Sequence, residues 1–436
     1  YNKFTSWTAS YVVSLLRSYE ENPAAFGDDY NIPESGNGIP DIIDEAKWGM
    51  DHLIRLQNAN GSMLSVVGLD HGSPPSSADG QSLYGSASTS ATLSGAAAFA
   101  YGAKVFAADA GWGLGDFADD LEARARDAWE WADANPAVLF YNNDDGQGTG
   151  GLAAGQQEMD DEGRLSKKLE AAVYLFEITG EATFRNFVDD HYTDIHMMQW
   201  NYVYPYEERQ QDVLLYYAGL ADATASVADD IESTYLNAFN GGDNMPSYTG
   251  NLDPYGAYLD SYTWGSNHTK AAQGNIFRSI ATYGLDGALA DDANRAAERY
   301  VHYIHGVNPL GIVYLSNMYG SGAVKSVNEF YHSWFSDGSA DWDRVGESTF
   351  GPAPGFLTGG PKPGYDRDGC CATNSCGSAE NNALCTALSV EPPLNQPDQK
   401  SYLDFNSNWP LNSWSVTENS CGYQVAYIRL LSKFVN

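Results

Sequence analysis

The chain is 436 residues long and carries 23 basic against 57 acidic residues, a net charge of −34. That balance excludes nucleic acid or an anionic membrane surface as partner, because both require a basic patch. It holds 11 Trp, 29 Tyr and 17 Phe, more aromatic surface than a core needs and suited to a groove that stacks on flat, uncharged faces such as sugar rings. No run of about 18 apolar residues exists, so no membrane span is expected.

In chain order, a helix is expected over 4–21, with Trp7, Tyr11, Leu15 and Leu16 on one face. A Gly/Pro-rich loop follows, and Pro40 then opens a helix over 41–58, proline and acids being first-turn signals. Residues 59–85 read as loop. An Ala-rich helix over 88–108 is fit for close helix packing. A charged helix over 116–134 comes next, and then helical pairs at 158–179 with 181–192, 210–218 with 221–239, and 269–283 with 288–305. Residues 306–419 read as irregular, and the last helix spans 422–435. About a dozen helices with little strand signal imply an all-α fold of helices layered on helices. No linker is visible, so 1–436 reads as a single domain.

Five cysteines are present, four of them within Cys370–Cys385 (370, 371, 376 and 385), with Cys421 apart. The cluster reads as disulfides in an oxidising compartment, with a zinc site as the competing reading; connectivity stays open. Asp144-Asp145-Gly146 and Asp160-Asp161-Glu162 are acidic clusters of oxygen donors that a calcium ion would accept, though solvated acids explain them as well. Asn267-His-Thr269 fits an N-glycosylation acceptor.

Several stretches carry a resemblance. Tyr1-Asn-Lys-Phe4 before a Trp-containing helix is similar to the stretch directly after an Asp-Ala-Gly-Asp motif. Gly36-Asn-Gly-Ile-Pro-Asp-Ile-Ile-Asp-Glu-Ala-Lys-Trp48, Tyr262-Thr-Trp-Gly-Ser-Asn267, His305-Gly-Val-Asn-Pro-Leu-Gly311, Tyr402-Leu-Asp404 and Trp414-x-x-x-Glu418 come next, in order. Together they resemble glycoside hydrolase family 9, the endoglucanases. The resemblance implies an (α/α)6 barrel with an open cleft and hydrolysis of β-1,4-glucosidic bonds with inversion. The implied partner is a β-glucan: cellulose, mixed-linkage glucan or xyloglucan. No cofactor is implied for the chemistry, although the family often carries structural Ca2+. A secreted protein is expected.

By the same resemblance Glu418 matches the general acid, and Tyr423 the tyrosine beside it. Trp264 matches an aromatic sugar platform and His332 a substrate-binding histidine, and His268, directly after the Tyr262–Asn267 segment, is expected as a further substrate contact. Three departures stand out. The catalytic base belongs to the Asp-Ala-Gly-Asp motif, which the resemblance places ahead of Tyr1. Trp334 stands where an Arg usually follows the histidine. The spacing from Asp404 to Trp414 is longer than usual, which leaves the role of Asp404 open. A second reading is therefore a glucan-binding protein that keeps the barrel but is catalytically silent.

Overall fold

The computed structural model describes residues 2–69, 80–144, 156–331, 339–365, 383, 391–406 and 411–435. It divides into two compact units. The first comprises Tyr1–Val203, Glu207–Asn240 and Ser432–Asn436, and the second Tyr204–Tyr206 and Gly241–Leu431.

In the first unit the expected helices form as α1 (Thr5–Glu21), α2 (Asp41–Leu56), α3 (Thr89–Phe106), α4 (Gly115–Ala134), α5 (Asp161–Thr179) and α6 (Ala182–His191), and, after a short helix that was not expected, α7 (His196–Trp200), as α8 (Glu208–Ala218) and α9 (Ala225–Phe239). α3 is buried on nearly every side and packs against α1, α4 and α5. Its small residues permit this: a Cβ on Gly95 would collide with the Met63 sulfur. The ends follow the sequence signals. Ser88 Oγ accepts from Ala91 N at the start of α3, and Asp160 Oδ1 accepts from Gly163 N at the start of α5.

A buried ionic cluster lies among these helices. Arg17 pairs with Asp212 at 3.1 Å and Glu21 at 3.0 Å, and Lys433 also reaches Glu21. Charges removed from water are retained only when paired in this way. Where loop was expected over 59–85, β2 (Val66–Leu69) and β3 (Ser82–Tyr84) form an antiparallel sheet with β1 (Lys3–Phe4), whose Phe4 was expected to open the first helix.

In the second unit, α10 (Met245–Thr249), α11 (Ser266–Thr282) and α12 (Ala290–Ile304) precede a parallel pair, β4 (Val313–Ser316) and β5 (Ser326–Val327). α13 (Trp414–Thr417) and α14 (Cys421–Leu431) follow, and α11 packs against both α12 and α14. Among its described residues, the stretch expected to be irregular therefore holds two strands and a one-turn helix. No helix among the described residues is long and apolar enough to cross a membrane.

Candidate active site

Glu418 stands at the end of α13, three residues before α14 begins. Its backbone (φ −58°, ψ 145°) leaves the helix, and the side chain is half-buried. Four attachments within the second unit hold it there.

Thr358-Gly359-Gly360 is the central support. Gly360 N donates to Val416 O at 2.8 Å, so the segment is fastened to α13 two residues before Glu418. On its other side Asn267 N donates to Gly359 O and Asn267 Nδ2 to Thr358 O, both at 2.9 Å. Both glycines are required by close approach. A Cβ on Gly359 would meet Val416 O at 2.9 Å, and one on Gly360 (φ +98°) would meet the Asn267 amide at 2.5–2.7 Å. Asn267 is fully buried, so the glycosylation pattern at 267–269 is not an acceptor; its amide is a structural clamp.

Thr417 supplies the third attachment. Its hydroxyl donates to Phe405 O at 2.9 Å and accepts from Tyr331 N at 3.2 Å. The fourth is Trp264, whose indole Nε1–H donates to Glu418 Oε2 at 3.0 Å. The Trp414 ring lies 4.4 Å from that of Trp264. Trp264 remains 45 % exposed, so the indole both fixes the carboxylate and keeps part of its surface open to solvent. Lys362 Nζ lies 5.9 Å from that ring's centroid.

Tyr423 and His268 stack on each other, centroids 5.4 Å apart at 27°. The Tyr423 hydroxyl covers Gly265, where a Cβ would approach it to 2.7 Å. Burial pushes the His268 imidazole down to about 4, so it is neutral at physiological pH. Tyr331 lies close enough to Glu418 for the carboxylate's charge, after burial, to push the phenol up. The structure thus brings together Glu418, Trp264, His268 and Tyr423. His332, Trp334 and the cysteines at 370, 371, 376 and 385 lie outside the described residues; Cys421 is a free thiol.

Asp404 acquires a place here. Its Oδ2 accepts from Asn328 N at 2.6 Å, and the next residue, Phe405, carries the carbonyl that Thr417 binds. Burial raises its carboxyl to about 6 against the backbone N–H groups of Asn328 and Glu329. Burial likewise raises Glu329 to about 7, with Arg344, 3.6 Å away, opposing and Asp404 adding to the rise. Both folded values exceed the unfolded ones near 4, so the stabilisation is complete below about pH 4 and is lost as pH climbs through 6 to 7. Glu329→Gln removes that loss. The gain in melting temperature over wild type should be larger at pH 8 than at pH 5, and an equal gain at both pH values would refute the coupling.

The acidic clusters resolve differently. Asp160 caps α5 and Asp161 pairs with Arg164, while Glu162 lies with His196 and Glu207, their donor atoms within 4.8 Å of one another. One imidazole nitrogen among carboxylate oxygens matches a transition metal better than Ca2+. Asp145 and Gly146 lie outside the described residues.

Thr417, Gly359 and Gly360 escaped the sequence reading, which also missed the clamping role of Asn267, although the adjacent glycines before Pro361 are a visible sign of close backbone approach.

Comparison with known proteins bears on this geometry. The model of glycosyl hydrolase family 9 matches residues 1–431. Endoglucanase D of Acetivibrio thermocellus is 24% identical over 445 residues, which cover 96% of this chain and 64% of the relative. Cellulose 1,4-beta-cellobiosidase of the same organism is 24% identical over 460 residues, 94% of this chain and 45% of the relative. The chain thus spans less than two thirds of the length of either. Among solved structures, a metagenome-derived glycoside hydrolase family 9 endoglucanase covers 100% of this chain and 69% of its own, with a TM-score of 0.73 and 22% identity. That likeness shows the fold, an (α/α)6 barrel.

Proposed function

We propose that this chain, which belongs to glycosyl hydrolase family 9, cleaves internal β-1,4-glucosidic bonds of a glucan with Glu418 as the proton donor. The observation that carries the reading is the contact of Trp264 with Glu418: one half-exposed indole grips the carboxylate and presents a flat face to a sugar. An oxygen leaving from a glycosidic carbon needs a proton, and a carboxyl fixed at the edge of an aromatic surface can deliver it. Inversion further needs a second carboxylate that activates water from the opposite face, about 6.5–9.5 Å from the first. The resemblance assigns that role to an aspartate of the Asp-Ala-Gly-Asp motif. Tyr423, His268 and His332 complete the proposed contacts to the glucan, and an acidic chain acting on an uncharged ligand fits export from the cell.

Endoglucanase and cellobiosidase relatives make product length the decisive observable. The test is digestion of cellulose, mixed-linkage glucan and xyloglucan, with products sized and their anomers followed by NMR. A spread of oligosaccharides released first as α-anomers is expected. Cellobiose alone from chain ends would replace internal cleavage with terminal cleavage, and β-anomers would remove inversion. Glucan binding without any new reducing ends would leave the silent binding protein as the reading.

A further inference from the structure

Lys270 is the one lysine among the described residues with no exposed surface at all. It sits in the second turn of α11, six residues after Trp264. Its ammonium donates to Ala257 O and, at 2.7 Å, to the Tyr262 hydroxyl. The Tyr303 and Tyr262 rings lie 4.0 and 4.8 Å away by centroid, a cation–π enclosure. Asp253 Oδ2 is 4.0 Å distant and itself buried.

These contacts converge on one loop, 253–264. Asp253 folds its start, accepting from Tyr255 N at 3.1 Å and Ala257 N at 3.2 Å, while Gln399 Nε2 donates to it at 3.2 Å. Ser261 and Thr263 hydroxyls meet Tyr206 Oη, each at 3.2 Å. Lys270 ties the middle (Ala257) and the end (Tyr262) of the loop to α11 from beneath. Two residues beyond Tyr262 the chain reaches Trp264, whose N–H holds Glu418.

Among the described residues, the titratable groups that meet Lys270 are Asp253 and Tyr262 from the loop and Tyr303 from α12. Asp253 is the one carboxylate among them, and burial holds the phenols Tyr262 and Tyr303 well above the usual range. We propose that Lys270 is a positioning residue whose charge state sets how firmly the 253–264 loop presents Trp264 to Glu418. Protonated, it donates to both loop acceptors and attracts Asp253. Neutral, it keeps one lone pair in place of a proton, loses that attraction, and releases one restraint on the loop. Burial brings its titration to about 7, with Asp253 opposing the fall, so the change falls in a physiological range. The functional consequence rests on Glu418 being the acid; the structural one does not.

The test follows the indole N–H resonance of Trp264, identified by its loss in Trp264→Phe, by 1H–15N NMR between pH 5.5 and 9. A shift with its midpoint near neutrality is expected in the wild type and, at the same midpoint, in Glu418→Gln. Lys270→Met should abolish it, and Lys270→Arg should hold the signal at its acid-side position. A flat wild-type profile, a titration that survives Lys270→Met, or one that vanishes in Glu418→Gln would overturn the proposal. The wild-type profile alone can do so if the variants do not fold. In parallel, the ratio of kcat at pH 6.5 to kcat at pH 8.5 should be about three- to tenfold larger in the wild type than in Lys270→Arg. An indole that titrates as expected while kcat ignores it would retain Lys270 and remove Glu418 from the acid's role.

Discussion

Glu418→Gln should lower turnover on soluble β-glucan by about two to four orders of magnitude, the usual worth of general acid–base help, and should leave glucan affinity little changed. The substitution is clean because of how the side chain is held. Glutamine has the same shape, and its amide oxygen can accept the Trp264 N–H that now reaches Oε2 at 3.0 Å. The aromatic wall of Trp264 and Trp414 therefore stays in place, and the loss is confined to the transferable proton. The loss must then depend on the leaving group. An aryl cellobioside whose phenol departs without protonation should be cleaved by the variant at nearly the wild-type rate, while a glucan is not. Initial rates on the two substrates, with affinity from calorimetry, decide it. Equal losses on both substrates would mean that Glu418 orients the sugar rather than protonating it, and near wild-type turnover on glucan would end its assignment altogether.

How far the sequence disclosed this arrangement differs between the two units. Helices with an apolar stripe were largely readable because period and burial coincide: Ile43, Leu53 and Leu56 of α2 are buried as their spacing requires, whereas Trp48, expected on the same face, is 69 % exposed. The sheet of β1, β2 and β3 was not readable, since β2 is a four-residue run whose partners lie some 15 and 60 residues away in sequence. The acid's surroundings were half legible. The resemblance carried Glu418, Trp264, His268 and Tyr423, and the structure gathers them. The supports escaped, because each is a non-local hydrogen bond. The Asn267 tripeptide pattern is local, while the burial that cancels it comes from residues 358–360. Lys270 is likewise one lysine in an ordinary helix until Ala257, Tyr262 and Tyr303 close around it.

Those supports carry the second large effect. Gly360→Ala should destabilise the protein by about 2–5 kcal/mol, the sum of a strained backbone and an overpacked neighbour. Position 360 has φ +98°, a conformation L side chains rarely adopt, and the new Cβ would lie 2.5 Å from the Asn267 Cγ. Asn267 has nowhere to go: it is fully buried, and its main-chain and side-chain N–H groups are both committed, to Gly359 O and Thr358 O. Relief must come from the opposite side, where Gly360 N holds Val416 O at 2.8 Å. Moving that bond moves α13 and with it Glu418, so whatever fraction of the variant folds should also show a lower kcat, a small displacement of a proton donor being costly. Gly364→Ala is the matched control. It lies four residues on, has no atom within 4 Å of the place a methyl would occupy and no left-handed backbone, and should cost less than about 1 kcal/mol. Denaturant titrations of both variants beside the wild type, with kcat measured on the folded protein, separate the two sites. Matching midpoints for Gly360→Ala and Gly364→Ala would show that the 358–360 segment does not hold the acid in place.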